Sequence, residues 1–259
     1  MRVQELYVPG ASFGHRLTPV TKLVAAIAAL SVVFVYPWPW ASACVLAALT
    51  GIAFAWGIGR KMVRIVFLGV LPYVLMLLVM QSLFHPGAGR VLLDLRWVSV
   101  KADGLRYAIE TSLRILAMVA VFVVVQLVTR SADAMVDLEA RGLSPKATYL
   151  VVTTLNILPS LIGKADAILD AQRSRGLETE GRLLTRARSL LSLIGPLVVG
   201  AINEVQERAI ALELRGFGHG GRRTLLGRPQ AQPFEGKLRL ALWVLTAAGI
   251  VWRVVLWLL

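Results

Sequence analysis

Residues Val63 to Phe84 read VRIVFLGVLPYVLMLLVMQSLF, a stretch that is apolar almost throughout and carries a single charge, Arg64, next to its start. A helix needs about 20 mostly apolar residues to cross the hydrocarbon core of a bilayer. This stretch meets that length, so it predicts a transmembrane helix and places the chain among helical membrane proteins.

Four further apolar stretches predict additional membrane spans. They cover roughly Leu17–Val35, Ala41–Ile58, Leu105–Val128 and Leu240–Leu259. The whole chain is 57% hydrophobic and its mean hydropathy is +0.69, well above the values of ordinary soluble domains. We therefore expect an all-α polytopic membrane protein with about five transmembrane helices.

A segment of mixed charge, from Thr129 to Glu235, separates the fourth stretch from the fifth. It contains 11 of the 15 acidic residues in the chain, and its apolar residues recur with a helical period. The predicted helices are Pro145–Leu158 with a kinked continuation past Pro159, a second helix leading into Arg175, and Leu183–Leu214 with a bend at Gly195–Pro196. Residues 85–104, between the third and fourth stretches, are predicted to form a polar loop.

These patterns divide the chain into three regions. Residues 1–128 are expected to form a four-helix transmembrane region, 129–236 a cytoplasmic or interfacial helical region, and 237–259 the final transmembrane helix. Basic residues favour the cytoplasmic side of a membrane, and Arg16, Lys22, Arg60 and Lys61 flank the first three spans. The amino terminus is therefore predicted to be cytoplasmic in a multi-pass protein. The same rule explains the net charge of +13 without a nucleic-acid partner.

Two related signatures lie in the mixed-charge segment. One is Ala171-Gln172-Arg173-Ser174-Arg175-Gly176 and the other is Ala211-Leu212-Glu213-Leu214-Arg215-Gly216, and Ala, Arg and Gly recur between them at one constant offset. An Ala four residues before an Arg lies on the same helix face and leaves room for another surface. The Gly that follows can end the helix in a left-handed cap. We interpret the pair as two prongs that dock on a partner, rather than as caps alone.

A third tripeptide, Ala140-Arg141-Gly142, is interpreted as a structural cap, because Asp137 stands where the signatures have Ala. Within the fourth span, Glu110 and Arg114 have the spacing of an intrahelical ion pair, and we predict that they form one. We therefore interpret these two charged residues as structural rather than functional.

Several function classes lack sequence support. The chain has no phosphate-binding loop, and the glycine pattern of Gly216–Gly221 has neither the preceding strand nor the following helix of a dinucleotide site. Its three histidines are scattered and Cys44 is its one cysteine, so no metal site is predicted. No nucleophile and base are brought together either, and we expect no cofactor and no catalytic residues.

These features together resemble the transmembrane (T) component of energy-coupling factor (ECF) transporters for vitamins and metals, the cobalt/biotin-type permease family. The two signatures carry the resemblance, although Ser174 replaces the usual Ala of the first. His15-Arg16-Leu17-Thr18-Pro19-Val20-Thr21-Lys22 resembles the amino-terminal Leu-Asp-Pro-x-x-Lys element of the family, with Thr18 in place of Asp. The likeness extends over nearly the whole chain.

The resemblance implies a non-catalytic coupling subunit of an ATP-driven importer in a bacterial plasma or inner membrane. Family members hold two cytoplasmic ABC-type ATPase subunits and a small membrane substrate-binding (S) subunit, and two crossing coupling helices transmit ATPase motion to the S subunit. Arg175 and Arg215 are then the ATPase-docking residues. Ala171, Gly176, Ala211 and Gly216 shape the ends of their helices.

Other functions remain open at this stage. A self-sufficient secondary transporter would show inverted repeats or discontinuous helices, and neither is evident in the sequence. A lipid-modifying membrane enzyme would need a cluster of catalytic residues. A membrane scaffold with no transport role is the third alternative. The sequence does not identify the transported substrate.

Overall fold

The computed structural model describes residues 7–10, 12–36, 38–84, 91–95, 98–176, 183–218 and 232–258. This part of the chain is almost entirely helical. Its elements, in chain order, are α1 (Phe13–Arg16), α2 (Pro19–Val35), α3 (Pro39–Ala55), α4 (Gly59–Phe84), β1 (Val91–Leu95), β2 (Val98–Lys101), α5 (Ala102–Val128), α6 (Ser131–Glu139), α7 (Pro145–Ser174), α8 (Leu183–Leu214) and α9 (Glu235–Leu258).

The five apolar stretches of the sequence form α2, α3, α4, α5 and α9, one helix each. Within the described residues, α4, α5, α7 and α9 are long and apolar enough to cross a membrane, and α2 and α3 are shorter apolar helices. Helices α2 and α3 have 17 residues each, which is the lower end of the length that spans a bilayer. The predicted all-α polytopic membrane fold is confirmed.

In the mixed-charge segment, α8 has the predicted bounds, whereas α7 is longer than the sequence predicts. Pro159 lies inside α7 and Pro196 lies inside α8, and both helices continue through their prolines. The prediction of a separate helix leading into Arg175 is therefore wrong, because that helix is the second half of α7. A proline removes one hydrogen bond from a helix, and the many remaining bonds of a long helix keep it continuous.

The predicted loop between α4 and α5 contains a β-hairpin, which the sequence interpretation missed. Strands β1 and β2 pair in antiparallel register, with Leu95 opposite Val98 and Asp94 opposite Ser99. Val98 and Val100 alternate with polar residues, and this period of two is typical of strands. Two short strands are too few for an independently stable sheet, so the fold class is unchanged.

Contacts between residues divide the chain into two compact units. The first, which we call the membrane bundle, comprises the described residues of Glu5–Asp137 and Pro229–Leu259. The second comprises the described residues of Leu138–Arg228, in which α7 and α8 contact each other. We call this second unit the long-helix pair.

The membrane bundle has its core where α3, α4 and α5 meet. The buried cluster consists of Ala53, Ile58, Met62, Val66, Ala120, Val124, Leu127 and Val128. Small residues such as Ala53 and Ala120 allow membrane helices to approach closely. Large apolar side chains on the outer faces, including Leu68, Met76 and Trp243, are exposed, as expected of helices that face lipid.

Candidate functional site

The first signature forms the carboxyl-terminal end of α7. Arg175 is the cap residue, and its backbone N–H donates to the carbonyl of Gln172 at 3.0 Å. Gly176 follows with a φ of +89°, and its N–H donates to the carbonyl of Arg173 at 2.9 Å. Because side chains are strained at such a φ, glycine is the residue that ends the helix here.

The second signature also ends α8 in a left-handed glycine. Gly216 has a φ of +69° and donates its N–H to Glu213 at 2.9 Å, while the N–H of Phe217 donates to Leu212, also at 2.9 Å. These two bonds define a Schellman motif, which satisfies the last carbonyls of a helix. The predicted left-handed glycine caps are therefore confirmed at Gly176 and Gly216.

The side chains of Arg175 and Arg215 are exposed. Within the described part of the chain, neither guanidinium makes a hydrogen bond or an ion pair. The neighbouring Arg173 differs, because it pairs with Asp170 at 3.2 Å. Ala171 and Ala211 are exposed one turn earlier on their helices. Each arginine is thus available to another molecule, next to a part of the helix surface that has no bulky side chain.

The third tripeptide has the same backbone geometry. Gly142 has a φ of +113°, and the N–H groups of Gly142 and Leu143 donate to Glu139 and Leu138 at 3.0 and 3.1 Å. This arrangement confirms that Ala140-Arg141-Gly142 caps α6. Cap geometry alone does not separate the three copies. Arg141 takes part in a further interaction within the chain, whereas the side chains of Arg175 and Arg215 have no partner among the residues that the structure describes.

An ion-pair cluster joins the second half of α7 to the second half of α8. Lys164 on α7 donates to Glu204 on α8, and Arg208, one turn further along α8, donates to the same carboxylate. These two hydrogen bonds hold the pKa of Glu204 below its ordinary value, and the carboxylate raises the pKa of Arg208. Tyr149 on α7 is a further neighbour of Arg208 and contributes to its raised pKa after Glu204.

Two contacts show that α7 and α8 run antiparallel. Tyr149, near the start of α7, contacts Phe217, just beyond the end of α8, with 5.1 Å between ring centroids. Lys164, further along α7, pairs with Glu204, which comes earlier on α8. Chain order along one helix is therefore reversed on the other. Arg175 and Arg215 consequently lie at opposite ends of the long-helix pair.

A buried polar cluster in the membrane bundle was missed by the sequence interpretation. Glu235, the first residue of α9, is completely buried. Its carboxylate accepts hydrogen bonds from the Thr18 N–H at 3.2 Å, the Thr18 hydroxyl, the Thr21 hydroxyl at 2.7 Å and the Gln232 N–H at 3.1 Å. The role of Thr18 was left open by the sequence, and the structure shows that it binds this carboxylate.

Two further contacts anchor the same amino-terminal element. Asp137 on α6 accepts the Val20 N–H at 3.1 Å, and Lys22 donates to the Val128 carbonyl at 3.0 Å. Carboxylates near the start of a helix satisfy its free N–H groups and favour its dipole. The start of α2 is therefore tied to α5, α6 and α9. A lone acid directly before the last apolar stretch was the sequence signal for Glu235.

The predicted ion pair between Glu110 and Arg114 is wrong. Glu110 accepts instead from Arg106, one turn earlier on α5, at 2.9 Å. The i,i+4 spacing fits either arginine, but Arg106 lies in the exposed first turns of the helix. The Nε of Arg114 is buried and has no hydrogen-bond partner within the described residues.

Comparison with known proteins identifies the family. The sequence profile of the cobalt transport protein family, CbiQ, matches residues 10–225. An energy-coupling factor transporter transmembrane protein EcfT from Brevibacillus brevis is 30% identical over 235 residues, which is 86% of this chain and 87% of that protein. A protein of the same description from Staphylococcus aureus is 27% identical over 84% of this chain and 84% of its own length. Another, from Lactococcus lactis, is 25% identical over 95% of this chain and 96% of its own length. The resemblance to ECF transmembrane components is thereby confirmed, and the chain belongs to the CbiQ cobalt transport protein family.

Proposed function

We propose that this transmembrane component couples two cytoplasmic ABC-type ATPase subunits to a small membrane substrate-binding subunit. Arg175 and Arg215 are the residues that dock on the ATPases, one on each subunit. The observation that carries this proposal is a pair of exposed guanidinium groups without a partner among the described residues, each followed by a left-handed glycine cap, at opposite ends of the long-helix pair.

Arginine suits a docking role for a chemical reason. Its planar guanidinium stays charged at all relevant pH values and donates several hydrogen bonds in a fixed fork, which fits a carboxylate or a set of carbonyls in a groove. Gly176 and Gly216 end each helix directly after the arginine, so the helix backbone does not extend past the docking group. Ala171 and Ala211 let the wall of the groove approach one turn earlier.

The remaining parts of the proposal follow from composition and exposure. The chain has no phosphate-binding loop, so ATP hydrolysis belongs to the partner subunits and this chain is not itself an enzyme. The basic residues beside the first three spans support a cytoplasmic amino terminus in the plasma membrane. Large apolar side chains exposed on α7 and α8, among them Leu158, Val198 and Ile202, are suited to contact the substrate-binding subunit.

Charge reversal at both tips tests the proposal. In the Arg175→Glu plus Arg215→Glu variant, we expect the ATPases to be lost from the affinity-purified complex and cargo uptake by cells to cease. Membrane insertion is expected to remain normal, because both residues are exposed in the free chain. Arg141→Glu is the matched control, since its arginine occupies the same cap position, and it should retain the ATPases. A double variant that still co-purifies with its ATPases and transports normally would refute the docking role.

A further inference from the structure

The ion-pair cluster has the same spacing as the two signatures. The sequence separation between Lys164 and Glu204 equals that between Ala171 and Ala211, between Arg175 and Arg215, and between the two capping glycines. Arg175 therefore follows Lys164 by as many residues as Arg215 follows Glu204. At a rise of about 1.5 Å per residue, each arginine lies about 16.5 Å along its helix from the ion pair.

This spacing describes an approximate two-fold axis. Because α7 and α8 run antiparallel, a half-turn can exchange each α7 residue with the α8 residue that lies at this constant offset. A residue contacts its own counterpart only on the axis of such a rotation, and Lys164 and Glu204 are counterparts in direct contact. The axis therefore passes through this ion pair, with the two docking tips at equal distances on either side.

Both halves between the ion pair and the tips are built as rigid rods. Residues 164–174 of α7 and 204–214 of α8 are continuously helical and contain no proline and no glycine. Pro159 and Pro196 both precede the ion pair on their helices. Any bend that they introduce lies on the other side of the ion pair from the docking arginine of the same helix. We call these two segments the arms.

One arm has an additional brace. Arg208 pairs with Glu204 and lies beside Tyr149, and Tyr149 contacts Phe217, next to the tip at Arg215. The counterpart of Arg208 on α7 is Ile168, which cannot form an ion pair. The counterpart of the Tyr149–Phe217 contact would join residues 177 and 189, whose side chains lie outside the described part of the chain.

We infer that Lys164, Glu204 and Arg208 form a pin on this two-fold axis, which fixes the separation of the two tips so that both engage equivalent grooves of a pair of like ATPase subunits. The inference rests on the proposed function for the identity of the partner. It assigns positioning roles to three residues outside the signatures. It also predicts the tip separation, about 33 Å for two straight arms of about 16.5 Å each.

The tip separation can be measured on the isolated full-length chain. Spin labels are attached through Ser174→Cys and Leu214→Cys in a Cys44→Ala background, and the chain is placed in lipid nanodiscs. Each label lies one residue before its arginine, so pulsed electron paramagnetic resonance should give one narrow distance distribution centred at about 30 Å, widened only by the label linkers. Glu204→Lys places three cations together and should broaden the distribution. The fully inverted variant, Lys164→Glu with Glu204→Lys and Arg208→Glu, restores attraction at every contact and should narrow it again.

A second readout separates positioning from mere stability. In the unlabelled complex, Glu204→Lys should retain its ATPases, because both arginines remain, while uptake per ATP hydrolysed falls about two- to five-fold, as expected of a half-exposed ion pair. The inverted variant should recover that ratio. Glu207→Lys, at an exposed position on the same helix, is the control and should change neither readout.

The outcomes distinguish the inference from the proposed function. An unchanged distance distribution in Glu204→Lys overturns the pin, whatever binds at the tips. A broadened distribution with an unchanged ratio of uptake to hydrolysis also overturns it, because tip separation would then not matter for coupling. Loss of the proposed function would appear instead as ATPases that stay bound after charge reversal at Arg175 and Arg215.

Discussion

Replacement of Glu235 by alanine probes the interaction that ties α9 to the start of α2. The carboxylate is completely buried and accepts hydrogen bonds from two backbone N–H groups and two hydroxyls. After its removal, the hydroxyls of Thr18 and Thr21 can still bond each other, since their oxygens lie 2.8 Å apart. Gln232 is exposed, so water can satisfy its N–H. The buried Thr18 N–H is left without an acceptor.

The magnitude follows from these separate contributions. An orphaned buried N–H costs about 1 to 3 kcal/mol, and hydrogen bonds to a charged group contribute about 1.5 to 3 kcal/mol each before partial compensation. We therefore expect Glu235→Ala to lower the free energy of unfolding by about 3 kcal/mol. For a chain of this size, that loss corresponds to a fall of about 6 to 12 °C in the unfolding midpoint.

The assay is thermal unfolding of the purified chain in one detergent, followed by tryptophan fluorescence. Glu235→Gln keeps an acceptor oxygen and should lose only about 1 kcal/mol. Glu207→Ala removes an exposed carboxylate and serves as the control with an unchanged midpoint. If the free energy of unfolding of Glu235→Ala lies within about 1 kcal/mol of that of the unaltered chain, the buried cluster does not stabilise the fold in this way.

Three further predictions concern the caps, the ion pair and the amino-terminal element. A Cβ at Gly216 would meet no neighbouring atom, but the φ of +69° strains any side chain there. Gly216→Ala should therefore destabilise the chain by about 1 kcal/mol in the same thermal assay. Gly200→Ala, inside α8 and equally uncrowded, should not destabilise it. Because two cations hold the pKa of Glu204 below its ordinary value of 4.5, its ion pair is complete above that value and is lost as the pH falls through the lowered pKa. The distance between spin labels on the tips should stay constant from about pH 8 to 6 and broaden only at strongly acidic pH; broadening already near neutral pH would contradict the assignment. Thr18→Asp, which restores the residue usual in the family, puts a second carboxylate beside Glu235 and should lower the unfolding midpoint. Adding Glu235→Gln removes one of the two charges and should recover part of the loss. An unchanged midpoint in Thr18→Asp would contradict the observed contact.

The helices could be predicted from the sequence because their signals are local. Each apolar stretch long enough to cross a bilayer became one helix, and Gly176 and Gly216 cap their helices as the signatures indicated. A kinked continuation past Pro159 was predicted, but not that it extends to Ser174 as the same helix that leads into Arg175. A proline weakens a helix by a local amount that the remaining length outweighs. The β-hairpin was missed because its strands are short and lie among turn residues.

The polar contacts were less accessible to sequence reasoning. Thr18 and Glu235 lie at opposite ends of the chain, and no periodicity connects positions so far apart. Arg106 and Arg114 both lie four residues from Glu110, so the sequence spacing did not decide between them. The pairing with Arg106 depended on which arginine the bundle leaves exposed. The ion pair between Lys164 and Glu204 did have a sequence signal, since it repeats the offset of the signatures, but its meaning required knowing that the helices are antiparallel.

The central claim is that each signature arginine holds one ATPase subunit, and native mass spectrometry of the purified complex tests it most directly. The unaltered chain should carry two ATPase subunits, Arg175→Glu and Arg215→Glu should each carry one, and the double variant none. Two ATPase subunits on the double variant would contradict the account.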